Sequence, residues 1–351
     1  MHQAYDIRRT YEENYQAGPQ LDGLTVECPV SAPKQFLSYS VRSRIGIAAG
    51  LLLNSKWVKA YARLGFDVLT YKTVRSSHRP CYPVPNWVFV SDDDQLHGPV
   101  FVCEKPPADP SRISSAVCFG MPSMAPDVWR RDVELARESL EAGQILIVSV
   151  VATPQPGWGA QEISDDFARC ALWAKESGAH VVEANLSCPN VCSAEGSIYR
   201  DSNFSRGVAE AVRAQIGDLP LLLKIGYFDQ SDELGDFLRA VAPAADGVTL
   251  VNGVTRSVLN QDGTPAFGAQ YERAGVLGRV IHPASIASVS AARDQVQKGQ
   301  LNLSILGVGG ASTVGDVDDF FRSGADGVMF GSSPMYLPTL ARDVKIHCEQ
   351  W

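Results

Sequence analysis

The sequence has no long apolar run and no excess of positive charge. Nowhere do its 351 residues approach the roughly 18 to 20 consecutive apolar residues that a membrane-spanning helix requires. The first twenty residues, MHQAYDIRRTYEENYQAGPQ, carry charges where a signal peptide has its apolar core. The formal net charge of −8 and the pI near 5.3 argue against a nucleic acid or an anionic membrane as partner, because either one selects a basic surface. We therefore expect a soluble, cytoplasmic protein with a small-molecule ligand.

A cysteine framework for metal binding is also missing. The 8 cysteines are scattered, and only Cys188 and Cys192 lie close together. No second Cys or His pair completes a zinc or iron–sulfur ligand set. In a chain of this size we expect buried thiols rather than disulfides, and no metal site.

From residue 45 onward, short apolar runs alternate with longer segments of helical period, as in parallel βα units. The predicted helices between the runs often begin at Ser, Asp or Pro and end at Gly. Eight runs are predicted to be strands: residues 44–50, 67–73, 144–152, 180–187, 220–226, 247–253, 303–310 and 326–332. This pattern predicts an α/β fold of the (β/α)8 TIM barrel type, whose usual size of ~250 residues plus insertions fits the chain. An open, doubly wound sheet is the alternative.

One segment, residues 74–115, breaks the alternation and is rich in proline and aromatic residues. Loops of this length in compact domains are usually functional or disordered. Because the segment follows the second predicted strand, we expect it at the carboxyl face of the barrel as a lid or pocket wall. The predicted organisation is an N-terminal extension, residues 1–40, packed on the barrel floor, followed by the barrel domain, residues 41–351.

The ends of the last two predicted strands are rich in glycine. The segments GVGGAS (307–312) and FGSS (330–333) occupy the positions where TIM barrels commonly bind phosphate. Exposed backbone N–H groups can hold a dianion there without Lys or Arg. Two ordinary glycine turns are the alternative, because single glycine motifs are weak signals. Together the two segments predict a phosphorylated cofactor.

Two lysines, Lys72 and Lys224, lie inside predicted strands with apolar neighbours. Lysine is seldom buried unless it is paired, and both of these residues are expected at the same end of the barrel. Fixed ammonium groups would stabilise the negative charge of a reduced flavin at its N1–C2=O edge. The alternative is that each side chain extends outward to solvent. With the phosphate site, the lysines favour a flavin mononucleotide.

The stretch VVEANLSCPN (181–190) places much polar chemistry at the end of an apolar strand. Asn185 and Asn190 offer planar amides that suit a flat, polar heterocycle or a carboxylate, and Asn252 adds a third amide. Taken singly, each asparagine could instead cap a turn. Cys188 is a candidate acid or base if nearby cations or donors lower its pKa, and an inert buried thiol otherwise.

These segments, in order, resemble the FMN-dependent dihydroorotate dehydrogenases over about residues 40–336. The resemblance is carried by IGIAAG (45–50), TYKT (70–73), ANLSCPN (184–190), LLLKIG (221–226), LVNG (250–253), AGVLG (274–278), GVGGAS and FGSS. It implies that a hydride passes between a dihydropyrimidine carbon and flavin N5 while a base removes the proton of the neighbouring carbon. Cys188 matches the base of the cytosolic class, whereas GIAAG and GVGG look more like the membrane-associated class.

The resemblance implies functional residues at matching positions. The catalytic residues are Cys188 and Lys72. The substrate-binding positions are Asn185, Asn190, Asn252, Val117 and Gly253. The cofactor-binding residues are Ala48, Ala49, Gly50, Lys72, Asn185, Lys224, Asn252, Gly278, Gly309, Gly310, Gly331 and Ser332.

Two departures from the family pattern bear on the substrate. The family has an asparagine at the position of Val117 and usually Ser or Thr at the position of Gly253. Losing polar partners in a site that reads polar edges changes substrate discrimination strongly. Dihydroorotate is the first expected substrate, and another cyclic amide or an activated alkene is the alternative. A non-redox barrel that binds a phosphorylated ligand is a third possibility.

The expected partners follow from the same features. The N-terminal segment shows no convincing amphipathic membrane anchor, so we expect a soluble electron donor or acceptor. We expect a homodimer as the assembly.

Overall fold

The computed structural model describes residues 3–21, 23–30, 32–91, 96–187 and 194–347. Its centre is a closed, eight-stranded barrel in which all neighbouring strands are parallel. In chain order the strands are β3 (Ile45–Leu52), β4 (Val68–Val74), β8 (Ile145–Val150), β9 (Val181–Asn185), β10 (Leu221–Lys224), β11 (Gly247–Leu250), β14 (Ser304–Val308) and β15 (Gly327–Phe330). The predicted (β/α)8 TIM barrel is confirmed, and each predicted strand is one of these eight.

The barrel strands are apolar on both faces because one face fills the lumen and the other packs against helices. Every residue of β4, β8 and β9 is buried. In the described part of the chain, eight helices cover the outside: α2 (Ser55–Arg63), α3 (Pro126–Glu138), α4 (Ala160–Glu176), α5 (Ser202–Ile216), α6 (Ser231–Val241), α7 (His282–Lys298), α8 (Val314–Arg322) and α9 (Leu340–His347). None of the helices in the described ranges is both long enough and apolar enough to span a membrane.

Helix ends follow ordinary capping chemistry. The Asn54 side chain accepts a hydrogen bond from the N–H of Lys56 at the start of α2, and the Asp201 carboxylate caps α5 in the same way. Gly217 ends α5 with a φ of 61°, a left-handed conformation that glycine adopts at low cost. Local sequence signals therefore fix where these helices begin and end.

A second, smaller barrel of five strands stands beside the first. Its strands are β5 (Trp87–Val90), β6 (Val100–Cys103), β7 (Ser114–Val117), β12 (Val254–Leu259) and β13 (Arg273–Gly278), paired in the order β12-β13-β7-β5-β6. Strands β5 and β6 and the start of β7 lie in the predicted insertion, residues 74–115, and the last two strands follow barrel strand β11. The insertion is thus partly regular sheet, which the sequence did not predict.

A short hairpin closes the amino-terminal end of the large barrel. It consists of β1 (Lys34–Phe36) and β2 (Tyr39–Val41). Phe36 and Val41 are buried in a cluster with lumen residues such as Val68 and Val181. A Cβ on Gly327 would lie 3.0 Å from the Phe36 ring, so a side chain at that strand start would require the ring to shift. This hairpin lies on the barrel floor.

The first part of the N-terminal extension differs from the expected packing on the barrel floor. It contains helix α1 (Tyr11–Ala17), and the N–H of Ala4 donates to the Met335 carbonyl beyond the carboxyl end of β15. The Tyr5 ring stacks on Trp87 of the small barrel, with centroids 5.6 Å apart. Residues 3–21 therefore pack at the carboxyl end of the barrel, because their aromatic side chains find apolar partners there.

Candidate active site

A cavity with an empty volume of about 1280 Å³, part of it open to solvent, lies at the carboxyl ends of the barrel strands. It brings together every residue that the sequence assigned to the cofactor, together with Val117. These residues are Ala48, Ala49, Gly50, Lys72, Asn185, Lys224, Asn252, Gly278, Gly309, Gly310, Gly331 and Ser332. Their common location is a structural fact, whereas their individual roles stay predictions.

The two lysines are buried in this cavity. Lys224 is 2% exposed, and its Nζ donates to the Ala49 carbonyl at 3.1 Å. Lys72 is 7% exposed, and its Nζ lies 5.7 Å from the centroid of the Tyr11 ring. Two ammonium groups with little access to water make the cavity suited to a ligand that carries or develops negative charge.

The amides of Asn185 and Asn252 form a hydrogen-bonded group in the same cavity. Asn185 donates from Nδ2 to Thr73 Oγ1 at 3.3 Å, and Asn252 donates from Nδ2 to Asn185 Oδ1 at 3.3 Å. Thr73 Oγ1 in turn lies 3.0 Å from Ser149 Oγ. The Asn252 amide also donates to the Ser187 carbonyl. These contacts fix the orientation of both asparagine side chains, as a preformed binding site requires.

Backbone N–H groups are available at the glycine-rich strand ends. No described residue accepts a hydrogen bond from the N–H groups of Gly310, Ala311, Gly331 or Ser332. A Cβ on Gly331 would meet nothing within 4 Å, whereas a Cβ on Gly310 would lie 2.6 Å from the Gly278 carbonyl oxygen. Glycine is thus needed where two loops approach each other, and the free amides can hold a phosphate.

A second set of amides follows β7. Gly120 and Met121 have positive φ values of 71° and 51° in succession. Among the residues the structure describes, none accepts from the N–H groups of Phe119, Gly120 or Met121. The Arg75 side chain, fully buried, braces this turn by donating from Nε to the Met121 carbonyl at 3.0 Å. Phe119 and Met121 line the cavity, and consecutive amides in such a turn can bind an anion such as a carboxylate.

One wall of the cavity is aromatic, and the ring contacts that build it were not predicted from the sequence. Tyr5, Trp87 and Phe119 line it, and Trp87 contacts both other rings at centroid distances of 5.6 and 5.9 Å. The backbone of Val117 pairs with Trp87 in the small barrel. The sequence predicted residues 74–115, which include Trp87, as a lid or pocket wall, but nothing in it indicated that Tyr5 or Phe119 would join that wall.

The remaining predicted residues are placed differently. Cys188 and Asn190 lie outside the described residues. Gly253 is buried but does not line the cavity. Cys81 is a thiol within the electrostatic reach of Lys72, yet burial raises its pKa to about 12 although the charge of Lys72 acts in the opposite direction. Cys81 therefore stays protonated at neutral pH and is a poor base.

Comparison with known protein sequences gives a consistent result. A family model described as "Dihydroorotate dehydrogenase" matches residues 117–347. A dihydroorotate dehydrogenase from Dictyostelium discoideum is 32% identical over 354 residues, which cover 96% of this chain and 95% of that protein. The catalytic subunit of a dihydroorotate dehydrogenase B (NAD(+)) from Solidesulfovibrio magneticus is 29% identical over 180 residues, covering 51% of this chain and 56% of that subunit.

Solved structures share the fold. A ligand-free DHODH from Eimeria tenella superposes with a TM-score of 0.72 at 19% identity, covering 92% of this chain and 89% of that one. The same enzyme in complex with ferulenol gives a TM-score of 0.69, also at 19% identity, covering 88% and 81%. At this identity the likeness shows the fold alone.

Proposed function

Since this chain belongs to the dihydroorotate dehydrogenase family, whose members are flavin oxidoreductases acting on CH–CH bonds, we propose that it oxidises dihydroorotate with FMN as its cofactor. The observation that carries the proposal is the single cavity that holds both buried lysines, the asparagine amides and the glycine-rich loops. The alternative of a non-redox barrel is not favoured, because the family consists of oxidoreductases.

The residues of the cavity fit FMN. Free amides at Gly310 and Ser332 suit its phosphate, and hypothetical Cβ atoms on Gly50 and Gly331 would meet nothing within 4 Å, so both glycines face open space. When bound, the flavin supplies the hydride acceptor for the reaction. Lys224 and Lys72 would stabilise the negative charge that accompanies reduction.

Cys188 is the proposed acid/base on the grounds of the ANLSCPN motif. Its thiolate would remove the proton from the substrate carbon next to the one that loses hydride. Lys72 would help to favour the thiolate by its positive charge. Asn185, Asn190 and Asn252 would hold the polar edges of the substrate ring.

The free amides of Phe119, Gly120 and Met121 support dihydroorotate as the substrate, because that compound carries a carboxylate. Val117 offers no hydrogen bond where the family has asparagine, so the carboxylate would depend on these backbone groups. The alternative substrate, another cyclic amide or an activated alkene, would be one that does not need the missing polar partner.

The setting of the reaction is part of the proposal. We place the enzyme in the cytoplasm as a homodimer with a soluble electron partner. Residues 74–115 would act as one wall of the site, and residues 1–40 as an extension that reaches both ends of the barrel domain, residues 41–351.

The direct test is anaerobic addition of dihydroorotate to the purified yellow protein, followed by its visible absorbance spectrum. We expect the flavin absorbance to bleach, and orotate to appear in an amount equal to the flavin. Unbleached flavin with dihydroorotate, but bleaching with another cyclic amide, would move the assignment to the alternative substrate. A protein that binds no flavin at all would contradict the proposed function itself.

A further inference from the structure

Arg279 lies beside the proposed phosphate loops and was not among the predicted site residues. It follows β13 directly, and its backbone N–H donates to the Ile113 carbonyl at 3.1 Å. The next N–H, of Val280, donates to Ser114 Oγ at 3.0 Å. The carbonyl of Gly278 packs against Gly310. The backbone of Arg279 is thus fixed between the small barrel and the loop after β14.

Arg279 lines the cavity together with Gly310 and Ser312. Its Nη1 lies 2.7 Å from Asp316 Oδ1 on helix α8, and 38% of the side chain is exposed. A guanidinium held by one carboxylate oxygen keeps further N–H donors for a second anion.

Asp316 explains why a cation is needed at this place. Its carboxylate accepts from the N–H groups of Ser312 and Thr313, both at 2.9 Å, so the first turn of α8 is already capped by the protein. Burial alone would raise the pKa of Asp316. The hydrogen bonds from Ser312 and Arg279, together with electrostatic interactions with His282 and Arg279, outweigh burial and lower this pKa. The carboxylate is therefore charged close to the loops that would carry a phosphate.

His282 completes the arrangement. Its Nδ1 donates to the Gly309 carbonyl at 3.1 Å, and its Nε2 lies 3.4 Å from Asp316 Oδ1. The histidine thereby links the position of the carboxylate to the glycine turn itself. Without Arg279, a phosphate on this turn would face the like charge of the Asp316 carboxylate with no guanidinium to offset it.

We propose that Arg279, held by Asp316, supplies the positive charge that makes this cavity select a flavin with a terminal phosphate over the same flavin without one. The inference rests on the proposed function, because it requires a flavin in the cavity. A metal ion is the competing interpretation, since ligand atoms of His282, Asp316 and Asp319 lie within 4.8 Å of one another. The guanidinium already neutralises Asp316, so we favour the arginine.

The test compares FMN with riboflavin, which share the ring and differ in the phosphate. Apoprotein prepared from the purified holoprotein is titrated with each compound while quenching of the flavin fluorescence is followed. We expect Arg279→Gln to weaken FMN binding by about 10- to 100-fold, as for loss of a hydrogen bond to a charged group, and to change riboflavin binding less than twofold. Added salt should weaken FMN binding more in the wild type than in this variant.

Two further variants keep the outcome interpretable. Arg279→Lys retains the charge and is expected to keep most of the preference for FMN. Arg322→Gln removes an exposed arginine that pairs with Asp318 and Asp319 on α8, and is expected to bind both flavins as the wild type does.

The contradicting results are separable from failure of the proposed function. Equal losses of FMN and riboflavin affinity in Arg279→Gln, or a loss in Arg279→Lys as large as in Arg279→Gln, would overturn the charge role. Unchanged FMN binding in Arg279→Gln would do the same. If the wild type bound neither flavin, the proposed function would fail first.

Discussion

The two ends of the large barrel are built from the same strands but from different chemistry. At the amino-terminal end, β4 and β9 begin with Val68 and Val181, which are fully buried and pack with Phe36 of the floor hairpin. At the carboxyl end the same strands carry Lys72 and Asn185, which line the cavity. The amino-terminal end therefore stabilises the fold by apolar burial. At the carboxyl end, burial of charges and amides lowers the stability of the fold. Substitutions at the two ends are expected to separate folding from function.

The largest effect is expected for the proposed base, on the rate of the chemical step alone. Cys188→Ala removes the proposed base and should slow reduction of the flavin by dihydroorotate about 10²- to 10⁴-fold, the usual contribution of a general base. Stopped-flow absorbance measures this rate, and flavin content should stay at the wild-type level. Cys81→Ser is the matched control and should leave the rate unchanged, because that thiol is protonated. Full turnover in Cys188→Ala would show that the base lies elsewhere.

At the amino-terminal end, the largest effect is expected on the free energy of unfolding and not on flavin binding. Phe36→Ala should lower the free energy of unfolding by about 3–5 kcal/mol, because it leaves a cavity under the barrel lumen. Denaturant unfolding checks this value, and flavin affinity of the folded protein should not change. Phe101→Ala, at a side chain that is 37% exposed, is the control and should cost about 1 kcal/mol or less. A loss of flavin affinity in Phe36→Ala would mean that the two ends are coupled.

A third substitution tests whether the buried charge at the carboxyl end of the barrel lowers the stability of the fold. Lys224→Met should weaken FMN binding by about 10- to 100-fold while the apoprotein becomes no less stable, because a buried ammonium is replaced by an apolar chain of similar length. Flavin fluorescence and thermal unfolding of the apoprotein give the two values. Lys298→Met removes an exposed lysine and should alter neither quantity. Strong destabilisation of the Lys224→Met apoprotein would contradict the claim that the buried charges at the carboxyl end reduce stability.

The smallest expected effect is a pH dependence at the floor. Burial, with a smaller effect from Arg137, lowers the pKa of His180 from 6.5 to about 4, and its Nδ1 accepts from the N–H of Leu146 at 2.9 Å. The unfolded chain therefore takes up the proton first as the pH falls. Stability should decrease between about pH 6.5 and pH 4, by roughly 1–2 kcal/mol after allowance for solvent screening, and this loss should level off below pH 4.

His180→Asn tests this prediction, since an amide oxygen can accept the same hydrogen bond without titrating. The variant should show a flatter profile of unfolding free energy between pH 7 and pH 4, whereas His78→Asn, at an exposed histidine, should keep the wild-type profile. Identical profiles in wild type and His180→Asn would show that His180 does not cause the loss of stability at low pH.

The barrel and the centre of the site were predictable because their signals are local. Apolar runs mark the strands, and residues at successive strand ends, such as Lys72, Asn185 and Lys224, must meet once the strands are parallel. The small barrel was not predictable, because β12 and β13 pair with strands more than a hundred residues earlier in the chain. The packing of Tyr5 on Trp87 is equally non-local. The role of Arg279 depends on Asp316, a contact that no spacing in the sequence reveals.

A crystal structure of the purified protein with its flavin tests the central claim most directly. The account predicts FMN in the cavity at the carboxyl end, with its phosphate within hydrogen-bonding distance of the Gly310 and Ser332 amides and its ring edge next to Lys224. A flavin bound outside this cavity, or a phosphate held away from those amides, would contradict the account.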